Sequence, residues 1–559
     1  MKRFALALFA ALSLPFSAFA QQAPAAAEEP SLFGEVVDVR VVNVEAVVTD
    51  KAGQRVRDLK AGDFRLRVDG VEVPIGFFSE VREGVSVGAA DGGSTTGSTG
   101  SAAPGGAAPG EAVGTGYLVF IDDYFSVPFR RNEVLQALKK DLDHLGPKDK
   151  MAVVAFDGAR LSTLSGWTGS ADELRRVFDR AMARPSHGLE RQAEMHDLRS
   201  TEELISEVDD QVRNSGNENS DPFRDRMFKS GLSVQESAYG ETLIRQIDSA
   251  VSGAVSAMRG ASSPGGRKVM LLLSGGWPFS TQSFIRGTDN VPPSHELPAG
   301  EALLRPLTST ANLLGFTVYP VDVPGIETGA ADVTTFGGSA NSGGSFREQE
   351  TEGSLTFIAR ETGGKALINS NRDKALTMAS EDVRSYYWLG FTPTWERNDK
   401  RHKVEVIATR PGLRVRSRNS FLDLSEKAAV SMRMESALML GSLPDGIPMP
   451  MKLGTPVKAK GMTEIPITLG LPVGALTIFP VNGQFRAQVQ LRVAAADENG
   501  NRSDVPVLSV DLNSANPPKA GGFVRYQTTL KIRGKAKHIV VATYDPMSGK
   551  IATAEADVP

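Results

Sequence analysis

Hydrophobic positions change their period twice along the chain. Residues 42–48 alternate apolar and polar as a half-buried strand does, and residues 64–73 alternate on both sides of Asp69-Gly70, a pair that predicts a two-residue hairpin turn. From Tyr117 the pattern becomes one of short apolar runs separated by helical stretches. Runs at 117–121, 151–156, 268–273 and 316–321 read as buried strands. Stretches at 132–145, 171–182, 239–258 and 299–314 read as helices, the first with Val134, Leu135, Leu138, Leu142 and Leu145 on one side. Such alternation predicts a mostly parallel sheet covered on both faces, a doubly wound α/β domain. A helix over 354–362 stops at Gly363-Gly364; residues 371–385 read as a further helix, 386–391 as an aromatic strand, and 402–409 and 413–416 as strands. Beyond residue 431 only strand-like runs remain, at 485–493, 505–512, 526–532 and 538–544, which predicts an antiparallel β-sandwich.

Composition places the boundaries. Residues 1–20 carry Lys2 and Arg3, an apolar run from Phe4 to Phe16 and the small residues of Ala18-Phe19-Ala20, an export signal expected to be cleaved after Ala20. Residues 21–33 read as an Ala/Pro/Glu leader, 34–84 as a small all-β domain, and 85–116 as a Gly/Ser/Ala/Pro-rich linker with too little apolar surface to fold. The α/β domain is expected over 117–422, with a polar insertion at 185–232, helical over 190–212, and a flexible Gly/Ser/Thr-rich loop at 325–353. Residues 423–430 link it to the sandwich at 431–559.

Compartment and charge narrow the classes of function. No stretch is long and apolar enough to span a bilayer, so the expected product is periplasmic or secreted, without a transmembrane anchor after cleavage. The chain has no cysteine, and an exported fold without disulfides must rest on core burial. The net charge of −4, which loss of Lys2 and Arg3 takes to −6, is spread over an interspersed surface and argues against DNA or RNA as a partner.

Chemistry-bearing residues gather at one strand end. The 117–121 strand delivers Asp122, Asp123 and Ser126 to its carboxyl end, where open α/β sheets build ligand and metal sites. Three readings are open: a divalent-cation site; a turn in which Asp122 bonds backbone amides or caps the next helix while Asp123 is solvated; or a metal-free binding surface in the crevice. Other candidates are weaker. His187, Glu190, Glu194 and His196 follow no recognised ligand spacing. Ser274 in Leu-Leu-Ser-Gly-Gly lacks the preceding glycine of a nucleophile elbow. Residues 260–268 lack the ending of a phosphate loop, and Tyr386, Tyr387 and Trp388 read as strand packing.

The order of Val48-Thr-Asp-Lys-Ala-Gly53, Asp63-Phe-Arg-Leu-Arg-Val-Asp69-Gly70, Ile121-Asp122-Asp123, Leu273-Ser274-Gly275-Gly276, Thr362-Gly363-Gly364 and Tyr386-Tyr-Trp-Leu-Gly-Phe391 resembles the bacterial von Willebrand factor A-related domain proteins first recognised in acidobacteria. The resemblance covers roughly residues 35–422. It implies a von Willebrand factor A-like, Rossmann-like central domain whose relatives bind a divalent cation through an Asp-x-Ser-x-Ser loop, a threonine from a second loop and an aspartate after a later strand. Asp122 and Ser126 match the first loop, with Tyr124 in place of its middle serine; Thr242 stands for the threonine, and Asp123 is a further candidate. Ser274-Gly275-Gly276 replaces the Ser-Asp-Gly of many relatives, so the implied site, for Mg²⁺, Mn²⁺ or Ca²⁺, is degenerate.

No convergent acid, base and nucleophile set can be assembled, so the expected function is non-enzymatic: an exported interaction protein that engages a protein or cell-surface polymer at the carboxyl ends of the sheet strands. A metal-assisted hydrolase of the cell envelope and a purely structural envelope component are the alternatives.

Overall fold

The computed structural model describes residues 41–88, 110–195, 197–198, 200, 222–261, 266–275, 277–286, 298–324, 342–425, 428, 431–432, 438, 447–459, 462–481, 483–496, 502–504, 508–519, 521–532 and 538–558. The export signal, the leader, most of the linker, and residues 196, 199 and 201–221 of the insertion, His196 among them, therefore lie outside the described residues. Over the described residues the protein is multidomain and β-rich, with mixed α/β content. No helix among them is long and apolar enough to cross a membrane.

The first strands, β1 (Val42–Thr49), β2 (Phe64–Val68), β3 (Val71–Val73), β4 (Phe77–Arg82) and β5 (Val85–Gly88), form the predicted hairpin between β2 and β3, with Asp69 and Gly70 both at positive φ in its turn. They do not form sheets alone. Strands β11 (Tyr386–Phe391), β12 (Arg401–Ala408), β13 (Arg414–Ser417) and β14 (Ser420–Leu422) complete two sheets, ordered β13-β1-β11-β4-β5 and β14-β12-β2-β3. Val44, Ala46 and Val48 on one face of β1 pack with Leu66, Phe64 and Tyr387 between the two sheets. A boundary after residue 84, and an α/β domain running to 422, thus divide the chain but not the sheets. The predicted linker also begins inside β5.

Between the halves of this sandwich runs the α/β segment. Its sheet is ordered β10-β9-β6-β7-β8, from β6 (Thr115–Asp122), β7 (Lys150–Phe156), β8 (Leu161–Thr168), β9 (Arg267–Ser274) and β10 (Phe316–Asp322). All pairs are parallel except β7 with β8. Alternation along β6 divides the core. Leu118 and Phe120 pack with helices α3 (Pro222–Gly260), α5 (Gly300–Leu314) and α6 (Ser342–Thr362) on one face. Tyr117, Val119 and Ile121 pack with α1 (Pro128–Lys140), α2 (Ala171–Met182) and α7 (Ala375–Val383) on the other. A short α4 (Thr281–Arg286) follows β9. Helix α6 starts at Ser342, inside the loop predicted over 325–353. Helix α2 begins as the sequence suggests, with the Ser170 hydroxyl accepting from the Glu173 amide.

The C-terminal segment has two sheets around one core. Ile465, Ile467 and Leu469 of the long strand Met462–Pro472 meet Val489 and Leu491 of Gln484–Ala496 and Ile539 and Val541 of His538–Tyr544. Ala542, Tyr544 and Ile551 also join the α3 side of the α/β core, so the two parts share apolar cover.

Candidate functional site

Strand order reverses at β6 and β9, which neighbour one another while their connections run in opposite directions. Such a switch point opens a crevice at the carboxyl ends of the strands, and Asp122 and Ser274 end the two strands that flank it.

Asp122 is fully buried and turns the chain itself. Its Oδ1 accepts from the amides of Tyr124 at 3.1 Å and Phe125 at 3.2 Å, and its Oδ2 accepts from Trp277 Nε1 at 2.9 Å. Burial raises its pKa to about 7; the Phe125 amide and the Trp277 indole oppose the rise, and the charge of Asp123 adds to it.

Asp123 lies on the other side of the strand, as extended geometry requires. It is also fully buried, which corrects the expectation of a solvated carboxylate. Arg131 Nη1 reaches its Oδ1 at 2.6 Å and Arg184 Nε reaches its Oδ2 at 2.8 Å. Burial pushes this carboxyl upward against the pull of Arg184 and Arg131. Arg131 is itself enclosed, and its Nη2 donates to the carbonyls of Met182 and Arg184, so the pair has the further hydrogen bonds a buried charge needs.

The insertion seals the turn from outside. The amide of His187 donates to the Asp123 carbonyl at 2.8 Å, and that of Gly188 to the Ser126 carbonyl at 3.1 Å. A Cβ on Gly188 would lie 2.4 Å from the Ser126 carbonyl carbon, so only glycine allows this approach. Tyr124, in the place of a metal-loop serine, accepts a hydrogen bond from Arg191 Nη1 at 2.6 Å while the Arg191 guanidinium covers its ring at 4.7 Å.

The predicted site residues are therefore not brought together as ligands. Thr242 sits within α3, donating to the Ala238 carbonyl and accepting from Arg245, both in its own helix. Ser126 is buried at the turn, and its hydroxyl has no hydrogen-bond partner. At Gly275, where many members of the resembled family carry an aspartate, an added Cβ would lie 2.0 Å from the Phe125 carbonyl oxygen. His187 pairs with Glu190, and Glu194 with Arg191 and Gln246. Among the described residues no group of three or more His, Asp or Glu side chains is placed to hold an ion. An octahedral ion needs several free oxygens, and of the predicted ligands Asp122, Asp123, Ser126 and Thr242 only the Ser126 hydroxyl is without a partner, so this donor set does not fit a divalent cation.

Sequence reasoning missed Arg131, Arg184 and Trp277. Arg131 carried a signal: it precedes Val134, Leu135 and Leu138 by helical spacings, which places a charge on the buried stripe of α1. Trp277 carried none beyond its position after Gly275-Gly276 in the sequence.

No protein-family model matches the chain, and no curated protein matches it. Solved structures overlap it only slightly. The pilus adhesin SpaC from Lactobacillus rhamnosus GG overlaps 79% of this chain with a TM-score of 0.25 at 7% identity, and this chain spans 56% of that adhesin's length. Bovine butyrophilin overlaps 32% of this chain, over 64% of its own, at a TM-score of 0.13 and 12% identity. A beta-glucosidase from Kluyveromyces marxianus overlaps 56% of this chain, over 33% of its own, at 0.14 and 10%. Likenesses this slight assign neither fold nor activity, and the chemistry of the strand end has to carry the functional reading.

Proposed function

We propose that this chain is an exported, non-enzymatic interaction protein of the periplasm or cell exterior, with a von Willebrand factor A-like α/β domain that engages a protein or surface polymer without a metal ion. The strand order β10-β9-β6-β7-β8, with one antiparallel edge strand, supports the domain assignment. The observation that carries the metal-independent reading is the saturation of Asp122 by two backbone amides and the Trp277 indole. A carboxylate so engaged, beside a second one tied to two arginines, offers neither a free ligand nor a general base to a substrate.

Contact with a partner would fall beside the sealed turn. Phe129, at the start of α1, is 58% exposed and Leu189, next to Gly188, is 56% exposed, at the end of the domain that the insertion covers. Exposed apolar side chains on a rigid frame are ordinary anchors for a partner.

The test is equilibrium binding of the mature chain to isolated cell-wall sacculi and to solubilised envelope proteins, in EDTA and in Mg²⁺. Saturable binding that is unchanged by EDTA and weakened about tenfold, ~1.4 kcal/mol, by Phe129→Ser or Leu189→Ser supports the proposal. Binding that requires Mg²⁺ would restore the metal reading, release of soluble sugar or peptide would favour the hydrolase, and no saturable binding would favour a structural component.

A further inference from the structure

Away from the strand end, the outer face of the first sheet meets the amino-terminal side of the α/β sheet through a layer of charged residues. Odd positions of β1 point there. Val47 lies opposite Arg416 of β13, and Glu45 lies opposite Trp388 of β11. Arg267, the first residue of β9, is 2% exposed; its Nε lies 3.1 Å from Glu45 and its guanidinium 4.5 Å from the centre of the Tyr386 ring. Asp382, near the end of α7, is the other carboxylate of the layer. It accepts from Arg55 Nη2 at 2.5 Å, from Arg416 Nη2 at 2.7 and 2.5 Å, and from the Tyr319 hydroxyl at 2.5 Å.

The charges do not balance. Glu45 faces Arg267 and also the buried cations Lys268 and Arg418, while at the Asp382 end Arg55 and Arg416 share a single negative charge. Around Asp382 itself one positive charge is left over. Burial lowers the pKa of Arg55 and Asp382 opposes this, while Arg416 and Arg267 repel its charge. Burial alone would raise Asp382, but Arg416 and Arg55 hold it at about 2, so it stays ionised. The hydrogen-bonding count is short in the same place. Arg55 Nη1 and Arg416 Nη1 are both shut off from solvent and neither has an acceptor in the protein, as is also true of the Tyr386 hydroxyl and Trp388 Nε1 farther along the layer. Two donors carrying positive charge, buried without acceptors and fixed to one carboxylate, are costly unless an anion or water answers them.

We propose that Arg55 and Arg416 hold one small monovalent inorganic anion of halide size through their Nη1 atoms, as a structural site between the first sandwich and the α/β domain. A single negative charge neutralises the excess, whereas a water molecule would satisfy the donors and leave the charge. The side chains of Arg55 and Arg416 are 25% and 29% exposed, so the ion exchanges with solvent along their outer edges. The site ties the joint to anion supply and is independent of the Asp122 turn.

Thermal unfolding of the mature chain in sodium chloride and in sodium gluconate, at constant ionic strength, reads the effect. The midpoint should rise by several degrees with chloride and saturate, as a ligand specific to the folded state requires. Arg55→Met leaves Arg416 and Asp382 as a balanced pair and should melt identically in both salts. Crystals soaked in bromide provide a readout that needs no variant: an anomalous peak within hydrogen-bond reach of both Nη1 atoms is expected. Water at that position without an anomalous signal, or a chloride effect of equal size in Arg55→Met, would overturn the proposal.

Discussion

Trp277 and Asp122 close the crevice between the two central strands of the α/β sheet: an indole N–H from the loop after β9 occupies the carboxylate oxygen that faces it, at 2.9 Å. Neither residue is exposed. The bond joins the two sides of the switch point where a ligand would otherwise enter.

Trp277→Phe keeps the ring and deletes the donor. Leaving one oxygen of a buried carboxyl unanswered costs about 1–3 kcal/mol. The urea midpoint should fall accordingly, with the largest loss above neutral pH, where Asp122 is charged; an unchanged midpoint at pH 8 would show that the bond carries no stability.

The pH dependence follows from the pKa of Asp122, which burial raises to about 7 from an ordinary aspartate value of 3.8. Between those values the folded chain holds a proton that the unfolded chain has released. This stabilisation is fully present below about pH 4 and is lost as pH rises through 7. His538, raised by its hydrogen bonds to Glu555 and Asp557, contributes with the same sign. Urea midpoints measured from pH 5 to 8 should therefore decline, and the decline should be shallower in Asp122→Asn than in the wild type. Equal slopes would assign the effect to other groups.

Arg131→Met removes one partner of a fully enclosed ion pair. Breaking a buried pair from one side costs roughly 3–5 kcal/mol, and Arg184, which remains, holds the loss toward the lower figure. Chemical denaturation of Arg131→Met alone and combined with Asp123→Asn tests this: the double variant should recover part of the loss, because no buried charge is then left behind.

Gly275→Asp restores the acidic residue that relatives of the resembled family carry, and it should not restore cation binding. Its Cβ would meet the Phe125 carbonyl, part of the turn that Asp122 holds. Forcing that turn aside costs about 1–3 kcal/mol. Calorimetry with Mg²⁺ should show no saturable heat, and the midpoint should drop; tight Mg²⁺ binding by a stable variant would contradict the closed geometry.

Much of the fold was legible where one physical signal dominated. The strands β6, β7, β9 and β10 are continuous apolar runs because helices cover both their faces. The β2–β3 turn was legible because Asp69 and Gly70 both need positive φ. Strand β8 was not seen: it is an edge strand of Leu-Ser-Thr-Leu-Ser-Gly-Trp-Thr with only two of its residues buried, and it carries little hydrophobic signal. The sharing of sheets was also hidden, because the alternation of 42–48 and the aromatic run of 386–391 mark each as a strand but do not say that Val44 faces Leu389. At the strand end, the residue types at 122, 123 and 126 drew attention to the turn but not to its surroundings. Their occupancy by Trp277, Arg131 and Arg184 depended on residues from three other segments.

The pairing of β1 with β11 and β13 has a consequence for the order of events during synthesis. Strand β1 leaves the ribosome more than three hundred residues ahead of the strands that flank it, as the register Val42 with Phe391 and Thr49 with Arg414 requires. Until residue 386 arrives, Val44, Ala46 and Val48 have no flanking strand, and the second comes only with residues 414–417, while the α/β segment already has all of its described strands and can fold first. The sandwich is closed last, by contacts of very long sequence separation, and such closures are slow. Holdase binding or proteolysis during maturation should therefore act on the N-terminal segment, with the α/β segment already protected.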